Sequence, residues 1–268
     1  MRVAVVGHVE WVDFLHVERL PLTGEIVQAS ASWQVAAGGG ADAAVQLRKL
    51  AGSATLYTAL GGDALGRRAC DELTRRGVRV EAVWRDAPQR RAVCFLDSAG
   101  ERTITLLGPK LVAHGDDPLP WGELADTDGV YFSGGDAAAL RAARKARVLV
   151  ASARELAVLL EARIEVDVLV ASARDDGERY DGGLDPAPRY VVRTDGGDGG
   201  IVEPGGRFAP APLPGPAVDT YGAGDAFAAG LTFGLASGSP IDSALTLAAR
   251  CGAAVLTGRG PYEAQLTL

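Results

Sequence analysis

At 268 residues the chain has room for one large α/β domain with a full core. Its 47% hydrophobic and 23% charged residues are ordinary for a globular protein, and a net charge of −7 with no Lys/Arg block argues against a nucleic-acid partner. Three scattered cysteines (Cys70, Cys94, Cys251) exclude a disulfide framework and point to a reducing compartment, while His8, His16 and His114 show no metal-ligand spacing.

The apolar run Val3 to Val6 begins almost at once and closes on Gly7, as a buried parallel strand would. No signal peptide is expected ahead of it, and no apolar run reaches membrane-spanning length, so the expected location is cytoplasmic, with no membrane partner. Glu10 and Asp13 are the first acidic side chains after that strand. Ligands of open α/β sheets bind beyond the carboxyl ends of strands, which makes Asp13 a site candidate.

Residues 25–35 alternate loosely between apolar and polar (Ile26, Ala29, Ala31, Trp33, Val35), as do residues 91–107 around an Asp97-Ser98-Ala99-Gly100 hairpin turn. Neither stretch fits a strand–helix alternation. They are predicted to form a small separate sheet, a lid, with strands at about 23–35 and 91–107 of a single domain spanning 1–268. Between them, Gly38-Gly39-Gly40-Ala41-Asp42 leads into an Ala/Leu helix, a pattern that brings backbone close to a ligand at a helix N-terminus. Gly38-x-Gly40-x-x-Ala43 meets the loose dinucleotide fingerprint, but that fingerprint belongs to the first strand–helix turn, which here is Gly7-His8-Val9, so a dehydrogenase is rejected.

A repeated alternation follows. Strands are predicted at Thr55 to Leu60, Gly129 to Phe132, Arg147 to Val150, Val166 to Val170 and Tyr190 to Arg193; helices at Gly66 to Arg76, Asp136 to Arg144 and Glu155 to Leu160. This order predicts an α/β fold with a mostly parallel sheet and helices on both faces. A Pro- and Gly-rich stretch, Pro204 to Pro216, reads as a loop with edge strands, and two helices, Asp225 to Ala236 and Ile241 to Leu256, close the chain.

The chemistry concentrates in Asp219-Thr220-Tyr221-Gly222-Ala223-Gly224-Asp225. Gly222 and Gly224 permit a turn whose N–H groups face one concavity, and the helix that starts there adds unpaired amides and a positive dipole end. Such a place holds an anion, and Asp225 stands at its edge as a general base. Neither a Gly-x-x-x-x-Gly-Lys-[Ser/Thr] loop nor the His-Arg-Asp and Asp-Phe-Gly elements of protein kinases is present.

This stretch resembles the C-terminal signature of the ribokinase-like (PfkB) carbohydrate kinases, Asp-Thr-x-Gly-Ala-Gly-Asp, at every fixed position. The likeness extends along the chain through Gly38-Gly39-Gly40, Gly61-Gly62-Asp63-Ala64-Leu65-Gly66, Thr194-x-Gly196-x-x-Gly199 and Arg259-Gly260. It implies a three-layer α/β/α fold with a small β-sheet lid, and an ATP-dependent, Mg²⁺-requiring kinase acting on a hydroxyl of a small sugar or polyol. By the same resemblance Asp225 is the catalytic base, and Gly222, Ala223 and Gly224 donate amides to the transferring phosphoryl group. The helix dipole should keep Asp225 ionised at pH 7. Thr194, Gly196, Gly199 and Thr220 face the nucleotide. Asp175 takes the place of the family's Mg²⁺-holding carboxylate through water, and many members use a monovalent cation near the Asp219 loop. Glu10, Asp13, Gly38, Gly39 and Asp42 line the acceptor site.

There the chain departs from the family, whose Gly-Gly-Lys-Gly-Ala-Asn reads Ala37-Gly38-Gly39-Gly40-Ala41-Asp42; Glu10 replaces an Asn, and Asp13 is displaced by about one position. Three converging carboxylates favour a neutral polyol or an amine-bearing acceptor over a sugar phosphate, because Asp42 adds a negative charge where an amide donor stood. A nucleoside is the alternative acceptor, and a non-catalytic nucleotide- or sugar-binding regulator is the alternative function. The exposed lid edges offer a surface for a homodimer.

Overall fold

The computed structural model describes residues 1–98 and 100–268. Among the described residues the main sheet has nine strands in the order β13-β12-β11-β10-β9-β8-β1-β4-β5. They are β1 (Val3–Val6), β4 (Ala54–Gly61), β5 (Val78–Arg85), β8 (Gly129–Phe132), β9 (Val148–Ser152), β10 (Val168–Ser172), β11 (Tyr190–Thr194), β12 (Gly200–Glu203) and β13 (Gly206–Phe208). Neighbours from β11 through β5 are parallel, and the hairpin β12–β13 joins antiparallel. This is the mostly parallel sheet that the strand–helix alternation predicts.

Both faces of the sheet are covered. Along β1, Val3 and Val5 pack with α1 (Gly39–Ala51), α2 (Ala64–Arg75), α5 (Ala223–Ala236) and α6 (Ile241–Val255). Ala4 and Val6 point the other way, into a core shared with Leu140 of α3 (Ala137–Ala143) and Leu159 of α4 (Leu156–Ala162). Strand alternation thus sends successive residues into two apolar layers, giving three layers of structure. Helices α2 and α3 begin as their sequences suggest: Asp63 accepts from Gly66 N (2.9 Å) and Asp136 from Ala139 N (2.7 Å).

A second sheet, β3-β2-β6-β7, is built from β2 (Glu10–His16), β3 (Ala31–Ala37), β6 (Arg91–Leu96) and β7 (Arg102–Leu107). The 91–107 stretch forms the expected hairpin; Ala99 of its turn lies outside the described residues. The first lid segment differs from expectation. Residues 17–30 carry no strand, the strand is Ala31–Ala37, and its antiparallel partner is Glu10–His16. The reason is packing: Trp11, Val12 and Phe14 are buried and continue the main core, whereas Ile26 is fully exposed and has nothing to pack against.

Candidate active site

The carboxyl ends of β1, β8, β9, β10 and β11 lie side by side, and the loops leaving them gather the polar residues. Gly7 and His8 follow β1, Ser133 and Gly134 follow β8, Arg154 and Glu155 follow β9, and Asp175 and Glu178 follow β10. The N-termini of α1 and α5 close over this edge. Two contacts force glycine here. A Cβ on Gly7 would sit 2.6 Å from Gly40 Cα, so β1 and α1 meet backbone to backbone. Gly222 has φ 80°, and a Cβ on it would lie 2.9 Å from Pro261 Cβ.

The turn before α5 is pinned by Asp219, which is buried and accepts from Tyr221 N (2.8 Å) and Gly260 N (2.9 Å). Ala226 N donates to Gly222 O at 2.9 Å, so the amides of Ala223, Gly224 and Asp225 precede the first intrahelical donor and are free for a ligand. Gly224 is exposed with open space around it, which leaves room for an anion over the helix end. From the lid, Arg102 donates to the Thr220 carbonyl, and the Thr220 hydroxyl oxygen is buried without a partner among the described residues.

Asp225 is the centre of the cleft. Tyr131 OH lies 3.4 Å from its Oδ1, and the space a Gly39 side chain would take is 3.0 Å from the same atom. Burial, then the nearby Glu178, push its pKa up to about 6, while Arg154, Arg102 and the Tyr131 hydroxyl pull it back. The dipole argument taken alone points the other way; withdrawal from water outweighs it. Asp225 is still mostly ionised at pH 7, as a base must be, and its modestly raised basicity suits proton abstraction. Burial and the neighbouring Asp225 hold Tyr131 well above the usual phenol range, so it remains a hydrogen-bond donor.

On the acceptor side, Glu10 is buried, with Arg90 Nε 3.2 Å away and His8 Nε2 at 3.6 Å. Burial raises the Glu10 pKa; Arg90, Lys110 and Arg154 oppose it. His8 lies well below the ordinary histidine range because of burial and then Lys110, so its imidazole is neutral and its Nδ1 faces the Ser133 carbonyl at 3.2 Å. Lys110 bonds that same carbonyl (3.1 Å) and Glu155. Gly38 and Gly39 form the floor: a Cβ on Gly38 would lie 3.3 Å from both Glu10 and His8. Asp42 is 1% exposed and lies near Asp225 and Glu10.

Asp13 does not join them. It sits three residues after Glu10 on the same strand, and strand parity turns it to the opposite face of the lid. There Gln34 Nε2 donates to it at 2.5 Å and Arg91 at 2.8 Å. The residue on the Glu10 face is Val12, fully buried in the core. A one-position displacement in a strand therefore moves a carboxylate out of the site.

Thr194 ends β11 beside Ser172, its partner in register on β10. Gly199 has φ 80° and no room for a side chain against the Phe208 carbonyl; Gly196 has φ 54° and lies under the Arg174 guanidinium. Arg174 also pairs with Asp195 (2.8 Å) and Asp198 (2.7 Å), which neutralises the two acids of this loop. Asp175 is engaged as well. Its Oδ2 meets Arg154 at 2.6 Å and its Oδ1 accepts from Gly177 N at 2.9 Å, so an arginine already balances its charge, while the half-exposed carboxylate keeps a lone pair on each oxygen for a metal-bound water. Among the described residues, His114, Asp116 and Asp117 come close enough to share an ion, but Asp117 forms a two-point pair with Arg85 (2.6 and 2.7 Å) away from this cleft.

Sequence reasoning missed His8, Lys110, Tyr131, Arg102 and Arg154. Four of the five lie at, or reach, the carboxyl edge of the sheet, the one positional signal that would have found them.

A helix N-terminus with free amides, a half-buried carboxylate beside it and a lid over the sheet edge together fit a phosphotransferase cleft. The profile of the pfkB family carbohydrate kinases matches residues 1–143 and 135–268, and the chain belongs to that family. It is 31% identical to the ATP-dependent ribose-1-phosphate kinase of Halopiger xanaduensis, over 98% of this chain and 95% of the relative. The fold is shared with the ribokinase of Thermotoga maritima (TM-score 0.80, 19% identity, 100% of this chain and 96% of that one). It is shared also with the Arabidopsis thaliana ribokinase complexed with ribose and ATP (TM-score 0.73, 21% identity, 98% and 95%). The chain is an ATP-dependent sugar kinase.

Proposed function

We propose that the chain transfers the γ-phosphoryl group of ATP, supplied as its Mg²⁺ complex, to a hydroxyl of a small sugar held between Gly38–Gly39, Glu10, Asp42 and Asp225. The observation that carries this reading is the placement of a half-buried, mostly ionised Asp225 in the first turn of α5, beside amides with no internal acceptor. Asp225 accepts the hydroxyl proton as the oxygen attacks phosphorus. The amides of Gly222, Ala223 and Gly224 stabilise the charge spread over the transferring group, and Arg102 and Arg154 add positive charge from the lid and from the loop after β9. Thr194, Gly196, Gly199 and Thr220 are assigned to the nucleotide. No step is routed through Asp175 or a metal bound there.

The acceptor class includes phosphorylated pentoses. The relative covering nearly the whole chain is named for ribose 1-phosphate, and the cleft is not the naked acid cluster that the sequence suggests: Arg90 accompanies Glu10, and Lys110, Arg102 and Arg154 surround it. Two further assignments complete the reading, a cytoplasmic location and a homodimer joined through the lid. The edge strand β7 supports the latter, being exposed along its whole length with Ile104, Leu106 and Leu107 facing solvent. The test is an ADP-release assay with MgATP against D-ribose, D-fructose, D-ribose 1-phosphate and adenosine. Turnover of at least one sugar is expected; ATP binding with no transfer to any of them contradicts the proposal.

A further inference from the structure

Both carboxyl oxygens of Asp42 are buried beside Asp225 and Glu10, and among the described residues neither has a hydrogen-bond partner. Its backbone is tied on both sides: its N–H donates to Gly38 O (2.9 Å), and its carbonyl accepts from Gln265 Nε2 (2.9 Å). The groups facing it come from four elements. They are Asp225 on α5, Glu10 on β2, Tyr221 in the turn before α5 and Tyr262 in the C-terminal segment. None is a cation, and the Tyr262 hydroxyl gives its proton to the Ala36 carbonyl at 2.5 Å. The arginines of the cleft are committed elsewhere, Arg90 to Glu10, Arg102 to the Thr220 carbonyl and Arg154 to Asp175 and Glu178. A buried carboxylate that faces two other carboxyls and no cation has little to compensate its charge.

We propose that Asp42 stands in the cleft as a neutral carboxylic acid, an O–H donor beside a C=O acceptor, and hydrogen-bonds the acceptor's hydroxyls as a carboxamide would. This rests on the reading that the cleft holds a sugar, and it names how one wall recognises it. Burial first and Asp225 second push the Asp42 carboxyl well above the ordinary carboxylate range; two neighbouring carboxyls disfavour a double charge, and in this assignment Asp225 takes the charge and Asp42 the proton. Two carboxyls in one site then divide the work: the lower one is the base, and the higher one donates. A donor on the acceptor's oxygen lone pair leaves the acceptor's own proton free to point at Asp225. The chain thereby restores with an acid the donor that an amide supplies, and carries no added negative charge against an anionic sugar.

The direct test is ¹³C-detected titration of the side-chain carboxyls in the full chain, with Asp42 assigned by its loss in Asp42→Asn. The expected result is a protonated Asp42 at pH 7, and an Asp225 midpoint that stays near 6 in Asp42→Asn. An ionised Asp42 at pH 7, or a clear drop of the Asp225 midpoint once Asp42 is neutralised, overturns the proposal. In steady-state assays with the best sugar of the panel, Asp42→Ala should raise KM about tenfold, the loss of one good hydrogen bond, while Asp42→Asn stays within about threefold. Wild-type KM should climb as rising pH ionises Asp42, and the Asn variant should not follow. Equal damage by Ala and Asn, with a flat wild-type KM, also overturns it. Failure of the kinase reading itself is separable, since it removes turnover from the wild type and leaves the titration standing.

Discussion

Replacing Asp225 by Asn should make the protein more stable as it removes its activity. The carboxyl rises from 3.8 in the unfolded chain to about 6 in the folded one, so the native state binds that proton more tightly. Stability contributed by the protonated form is complete below pH 3.8 and is lost as pH climbs through 6. The shift of about 2 units corresponds to a penalty of about 3 kcal/mol, fully present at pH 7.5 and about half as large at pH 5. Asn carries no charge and escapes it, and its Oδ1 can still accept from Tyr131. The lost attraction between a carboxylate and the α5 dipole takes back up to about 1 kcal/mol. The net expectation is a gain of about 2 kcal/mol at pH 7.5, or roughly 4–8 °C in Tm for a chain of this size. Urea unfolding and thermal scans at pH 7.5 and pH 5 read it out. A variant no more stable than wild type at pH 7.5 would mean that the folded site favours the Asp225 charge, contrary to the burial argument.

Gly222→Ala combines a left-handed φ of 80° with a Cβ 2.9 Å from Pro261. It should lose at least about 1–2 kcal/mol of stability and most of its turnover, measured by unfolding and ADP release. Arg102→Ala removes the lid's hold on the Thr220 carbonyl and a positive charge that lowers the Asp225 pKa, so kcat should fall and its acid limb should move upward from pH 6. An unmoved limb in that variant would separate Arg102 from the base. Asp13→Asn, on the far face of β2, should leave the sugar KM within about twofold and act only on lid stability through Arg91 and Gln34.

The donor side of the site was legible because its determinants are local. Asp219 to Asp225 encode a turn, a left-handed glycine and a helix start within seven consecutive residues, and the same residues carry the proposed anion cradle. The layered fold was legible for a similar reason, since each strand and helix declares its period. The lid's first strand was not. Glu10 to His16 is buried on both faces near its start, so no clean alternation marks it, and Asp13 looked like a loop acid beyond β1. Once β2 is a strand, parity alone settles which face each carboxylate takes. Asp42's state was equally hidden. Its charge depends on Asp225 and Glu10, brought beside it from 183 and 32 positions away in the chain, and on the absence of a cation there. Arg102, Arg154 and Lys110 reach the cleft from loops and a strand edge that no local motif connects.

The kinase mechanism stands or falls on Asp225 as the base. Its most direct test is kcat of Asp225→Asn with MgATP and the best sugar of the panel, alongside ATP affinity by calorimetry. General-base catalysis contributes about 10²- to 10⁴-fold, so kcat should fall by that factor, about 3–5 kcal/mol, with ATP affinity changed only a few-fold. Turnover within about fivefold of wild type would contradict the assignment.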